Sequence, residues 1–259
     1  MKKIIDKKLK SLCKKEEKFL ENKKLKSQTF DNAVSNINSK IPKALYNTLH
    51  TAFYKSFKTV FEKGTKIIEK TYDKDKFEIE YIVRNRTLNK KMNRRTIKNI
   101  DKLASRSKLL NSVITTIEGG GFGILGIGIP DIPIFIGLIL KGIYEISMSY
   151  GYSYESTKEK FYILNIINTA ISTENKYKYN KILDETAYKI SNNIPLDIDI
   201  DSEIKKTAYI LADSMLTAKF IQGIPVVGAV GSITNLSVYN KISSFACIKY
   251  KKRFLMSKL

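Results

Sequence analysis

The sequence predicts an all-α fold: one multi-helix globular domain with two glycine-rich apolar helical segments packed centrally, plus a basic N-terminal helix. Three observations predict it. Apolar residues recur at the three-and-four spacing of a helix, and strand-like alternation is scarce. Pro, Gly and Asn mark the breaks between these runs. The chain has 259 residues, 43% of them hydrophobic, which is enough for one sizeable core and too apolar for a disordered chain.

The first element carries Ile4, Ile5, Leu9, Leu12, Phe19 and Leu20 as a narrow apolar stripe on a strongly basic helix. It reads as a basic amphipathic extension over residues 1–38, with the helical domain over 39–259. Ser39 fits an N-cap, and Pro42 is tolerated in the first turn that follows. Ala44, Leu45, Leu49, Ala52, Phe53, Phe57, Val60 and Phe61 then keep one helix face apolar. Residues 71–95 are ambiguous: FEIEYIV alternates as a short strand does, and a helical turn fits as well. A helix is expected over 96–117. Further helices are expected over 153–172, 175–191, 201–220 and 225–250, with an acidic turn, IPLDIDID, before the third of these.

Between them lies GGGFGILGIGIPDIPIFIGLIL, Gly119 to Leu140, in which Asp131 is the only charge. A dinucleotide-binding GxGxxG needs a preceding strand and a helix that opens on it. Here a helical run precedes the glycines and two prolines follow, so a phosphate loop is excluded. A membrane span has the length, but Pro130-Asp131-Ile132-Pro133 breaks it, and a carboxylate there costs about 2.5–3.5 kcal/mol. A hairpin dipping into one leaflet, bent at Asp131, stays open. A soluble core helix explains more residues. Asp131 fits its N-cap, where an acid also suits the helix dipole. Pro133 falls in the first turn, Gly137 and Gly142 allow close helix approach, and Lys141 with Glu145 begins a polar face. A second charge-free stretch, Ile221 to Asn240, is built likewise. Pro225 sits in a first turn, Gly228, Ser232 and Asn235 share one helix face, and a buried Asn235 needs hydrogen-bond partners.

These blocks, GGGFGILGIGIPDIPIFIGLILKGIYEISMSYGYSYE and KFIQGIPVVGAVGSITNLSVYNKISSFACIKYKKRFL, resemble the EcsC protein family over roughly residues 40–255. The first carries Asp131, Pro133, Tyr150 and Gly151. The second carries Pro225, Gly228, Asn235, Tyr250, Arg253 and Phe254. Glu159 and Phe161 stand where the family tends to carry an acid and an aromatic, and Ser153 stands where an acid is expected after Tyr-Gly. The resemblance implies a setting more than a reaction: bacterial, cytoplasmic or membrane-peripheral, near a membrane system such as an ABC transporter.

Charge narrows the function classes. The net charge is +21, and it is uneven: residues 1–110 hold 30 Lys/Arg against 12 Asp/Glu, and residues 111–259 hold 16 against 13. A polycation attracts anionic lipid, nucleic acid or an acidic partner. The basic run Arg84–Lys102 lacks interleaved aromatics and a DNA-binding motif, so specific nucleic acid is not expected. The basic helix and the Lys-rich first part fit an anionic membrane surface, with Lys7, Lys8, Lys14, Lys15, Lys90, Lys91, Arg94 and Arg95 as the candidate contacts. A membrane-protein partner is compatible with this.

No catalytic, cofactor or metal constellation is legible. His50 is the only histidine and sits on an amphipathic helix as a packing residue. Glu118, Asp131, Glu145, Glu155 and Glu159 read first as caps and helix-face partners. The alternative function is a small-molecule or lipid pocket between the two glycine-rich segments, one that binds or one that also catalyses. Cys13 and Cys247 have no metal spacing and read as reduced thiols. With no apolar core to a signal sequence at the N-terminus, the expected location is cytoplasmic, peripheral at the inner face of the cell membrane.

Overall fold

A computed structural model describes residues 2–21, 43–61, 73–105, 132–172, 175–221 and 231–259, leaving aside the side chains of residues 45, 217–221 and 231–235. Every regular element among the described residues is a helix. They are α1 (Lys2–Glu21), α2 (Lys43–Thr59), α3 (Lys74–Lys90), α4 (94–105), α5 (Ile132–Ser149), α6 (Thr157–Ile171), α7 (Lys176–Ser191), α8 (Ile200–Ile221) and α9 (Gly231–Met256).

In the ambiguous stretch 71–95, the described residues 73–95 form the cap of α3, α3 itself, the turn after it and the start of α4. The side chain of Asp73 accepts from the Lys76 amide at 2.9 Å and caps α3, and Glu80 pairs with Arg84 one turn on. Ile79, Ile82 and Val83 are exposed, so the alternation in FEIEYIV does not mark a buried face. Asn93 then starts α4. Its Oδ1 accepts from the Arg95 and Thr96 amides, while Thr96 Oγ1 accepts from the Asn93 amide at 3.0 Å. This reciprocal cap fixes Arg94 at the opening of α4.

α5, α6 and α9 form the centre. α9 packs on α1, α5, α6 and α8, while α2 spans α5 and α8, α7 lies on α6, and α3 lies on α5. α5 is apolar and long enough to cross a bilayer by length and composition, yet 72% of it is buried inside the protein. It starts at Ile132, next to the expected cap, with Pro133 in its first turn. The expected close approach is present at Gly142, where a Cβ would lie 2.4 Å from the Tyr239 hydroxyl of α9. Around Gly137 no described heavy atom comes within 4 Å of such a Cβ. The expected polar face does not form, because Glu145 and the residues after it in α5 are buried.

α1 is docked on the bundle. Ile5, Leu12 and Leu20 enter the common core, and its lysines face solvent. Its apolar stripe is therefore already covered by protein.

Candidate functional site

The C-terminal half of α9 is held by carboxylates from four other helices. Ser156 caps α6 by accepting from the Glu159 amide at 3.2 Å, which places Glu159 in the first turn, where the helix dipole favours an acid. Its carboxylate accepts from Arg253 Nη1 at 2.7 Å and from the Tyr250 hydroxyl at 2.8 Å. The Arg253 guanidinium lies 4.2 Å from the Tyr152 ring centre and 4.4 Å from that of Tyr162, a cation flanked by two aromatic rings. Burial works against its charge, and the Glu159 carboxylate more than compensates, so Arg253 holds its proton more tightly than usual. Burial pushes the Tyr162 and Tyr250 phenols well above their ordinary range. With both side chains about 5% exposed, the pair has no open face toward a substrate. It is a clamp between α6 and α9.

A second clamp joins α1, α7 and α9. Lys249, 1% exposed, donates to Glu16 Oε1 at 2.6 Å, Asp184 Oδ1 at 2.6 Å and Asn180 Oδ1 at 2.9 Å. Three acceptors satisfy its three ammonium hydrogens. Lys252 donates to Glu16 Oε2 at 2.8 Å and to Asp184 at 3.2 Å. Burial lowers the pKa of Lys252, but these two acids prevail and raise it. Two lysines and two acids leave the cluster neutral.

Tyr150 and Gly151 close the end of α5. The Tyr150 hydroxyl donates to Asp101 on α4 at 3.2 Å, and Asp101 also takes Lys251 of α9 at 2.5 Å. Gly151 has φ +82°, and a Cβ there would fall 2.1 Å from the Tyr81 ring of α3. Only glycine meets both demands.

The remaining cations form a different arrangement. Lys3, Lys7, Lys8 and Arg94, with Ile4 and Ser11, line one cleft of about 500 Å³ between α1 and α4. None of the four cations has an ion pair or hydrogen bond among the described residues. Lys14, Lys15, Lys91 and Arg95 are exposed outside it. Lys90 lines a separate depression of about 410 Å³ with Tyr81, Ile82, Asn85, Arg86 and Asn89.

The EcsC protein family matches residues 6–255. The chain belongs to this family. Two relatives from Bacillus subtilis (strain 168) match as well. The uncharacterized protein YdbA is 27% identical over 150 residues, 56% of this chain and 54% of its own, so that match spans about half of the relative. Protein EcsC is 23% identical over 237 residues, 89% of each chain. No solved structure matches. The EcsC-family match begins inside α1, so the helix expected to stand outside the shared region lies almost wholly within it.

Of the residues expected from the two EcsC-like blocks, Tyr150, Gly151, Glu159, Tyr250, Arg253 and Phe254 converge around the end of α5 and the last turns of α9. The Tyr150 and Phe254 ring centres are 5.9 Å apart. Pro133 is exposed at the other end of α5. Asp131, Pro225 and Gly228 lie outside the described residues, and Asn235 is placed on α9 by its backbone alone. Two acids near the block are separately engaged: Glu155 pairs with Lys74 at 2.6 Å on the surface, and Glu159 is in the clamp. His50 is half-buried against Tyr209, ring centres 3.8 Å apart, and burial lowers its pKa. Residues not foreseen are Glu16, Asp101, Asp184, Lys249, Lys251 and Lys252. Glu16 had a signal: Leu12, Glu16 and Leu20 share one register, which puts an acid on the buried stripe.

Proposed function

We propose that this protein is a helical, non-enzymatic accessory protein that binds an anionic membrane surface through its basic first part, near a membrane system such as an ABC transporter. The observation that carries this reading is the convergence of Lys7 and Lys8 with Arg94, residues far apart in the chain, on one cleft whose cations meet no carboxylate among the described residues. Each well-placed base near anionic lipid contributes about 1 kcal/mol. The apolar stripe of α1 is occupied by the core, so charge does the binding, and salt weakens it.

Flotation with lipid vesicles tests this. Binding to anionic vesicles at physiological salt, reduced at high salt and absent on neutral vesicles, is the expected result. A chain that stays unbound on anionic vesicles at physiological salt contradicts it and moves the function to the second reading, a small-ligand pocket between the glycine-rich segments.

A further inference from the structure

We infer that the cleft between α1 and α4 is a binding site for the phosphate-bearing headgroup of an anionic lipid, a headgroup with two phosphates fitting best. This rests on the membrane-surface reading and names its site. Lys3, Lys7 and Ser11 follow one another at four-residue intervals along α1, with Ile4 and Lys8 in the adjacent row, and Arg94 closes the cleft from α4. Like charges four residues apart on a helix repel, so Lys3 and Lys7 are held together against their own electrostatics. An anion between them removes that repulsion.

Chemistry separates this cleft from a generally basic surface. Arg94 supplies a planar fork suited to a phosphate, the lysines supply point charges, and Ser11 adds a neutral donor. Four cations exceed the charge of one phosphodiester, which favours a diphosphate headgroup such as that of cardiolipin. Ile4 is half-buried against the core, and together with the methylene stems of the lysines it gives the cleft an apolar share. A headgroup entering with its glycerol and first acyl carbons meets both kinds of surface, and a bare inorganic ion meets one.

The test compares the whole chain with two triple variants. One removes cleft charge, Lys3→Gln, Lys7→Gln and Arg94→Gln. The other removes the same charge from exposed lysines away from the cleft, Lys43→Gln, Lys55→Gln and Lys76→Gln. Affinity is read on vesicles holding phosphatidylglycerol or cardiolipin at equal charge density, and inorganic pyrophosphate is titrated in solution. The expected result is several-fold tighter binding to cardiolipin, at least about tenfold weaker binding by the cleft variant, and less than about threefold weakening by the other. Thermal unfolding of both variants should match the parent. If the cleft triple is less stable, Arg94→Gln alone replaces it. Equal losses in the two variants overturn the cleft and leave the surface reading standing. No vesicle binding by the parent overturns both, unless pyrophosphate binds in a cleft-dependent way, which keeps the site and overturns the lipid as its source.

Discussion

Lys249, Lys252 and Arg253 near the end of α9 are each held by a carboxylate from another helix. Lys3, Lys7, Lys8 and Arg94 around the α1–α4 cleft meet no carboxylate among the described residues. The first group lies in the part of the chain whose charge is close to balanced, and the second in the part that carries most of the +21. The difference separates two uses of one residue type. Where a base is buried it must be paired, because an unpaired ion in the core costs several kcal/mol, and such bases knit α1, α6 and α7 to α9. Where it is unpaired it must remain wet, and its charge stays available to something outside the protein. The fold therefore depends on the bases of the neutral part, and the proposed binding depends on those of the polycationic part.

Substitutions that break this comparison rank by burial. Arg253→Ala or Glu159→Ala strands a buried charge, and about 3–5 kcal/mol of stability should be lost in chemical denaturation. Glu16→Gln weakens two charged hydrogen bonds to Lys249 and Lys252 and should lose about 1.5–3 kcal/mol. Its exposed neighbour sharpens the point: Glu17→Gln should stay within about 0.5 kcal/mol of the parent. Gly151→Ala falls between, at about 1–2 kcal/mol for the left-handed backbone, with a further loss if the Tyr81 ring cannot move aside. Deleting residues 2–21 is a poor probe of membrane binding, since it withdraws Ile5, Leu12, Leu20 and Glu16 from the core. Charge substitution leaves that core intact.

Proton linkage gives smaller effects with definite signs. Burial raises the phenols of Tyr150, Tyr162 and Tyr250 well above the ordinary 10.0. The folded chain holds these protons more tightly than the unfolded one, so stability is full below about pH 10 and falls as pH rises beyond it. Phenolate absorbance should show these three ionising only with unfolding. Ionisation of all the tyrosines in a chain that keeps its helical signal contradicts this. At the acid end the effect is smallest. The Tyr54 hydroxyl donates to Asp201 at 2.7 Å. That bond first, then Lys205, holds the carboxyl down from 3.8 to about 2. Its contribution is present above pH 3.8 and is lost as pH falls toward 2. Asp201→Asn should flatten stability across that window, by little, because the group is exposed.

Much of this organisation was legible in residues. α6, α7 and α8 lie within a few residues of their expected ranges, because their apolar spacing is regular, and Ser156 and Asp199 cap the starts of α6 and α8. α3 was not legible, since Ile79, Ile82 and Val83 face solvent and of its residues Leu88 alone is fully buried. The members of the Glu159 clamp were recognised as positions, but their meeting was not, because it joins residues 94 apart in the chain. Glu16 and Glu17 are identical in composition and adjacent, and only the register with Leu12 and Leu20 separates the buried one from the wet one. The apolar stripe of α1 was visible, while its occupant was not: periodicity shows that a face is covered and does not say whether protein or lipid covers it.

That ambiguity sets the most direct measurement, amide hydrogen exchange across residues 2–21 with the chain free and bound to anionic vesicles. The account predicts that α1 keeps its protection on the vesicle, meeting the surface with its lysines while Ile5, Leu12 and Leu20 stay in the core. Loss of protection in the bundle residues that α1 covers, above all in α9 around Lys249, means that the helix leaves its dock to enter the bilayer, and contradicts it.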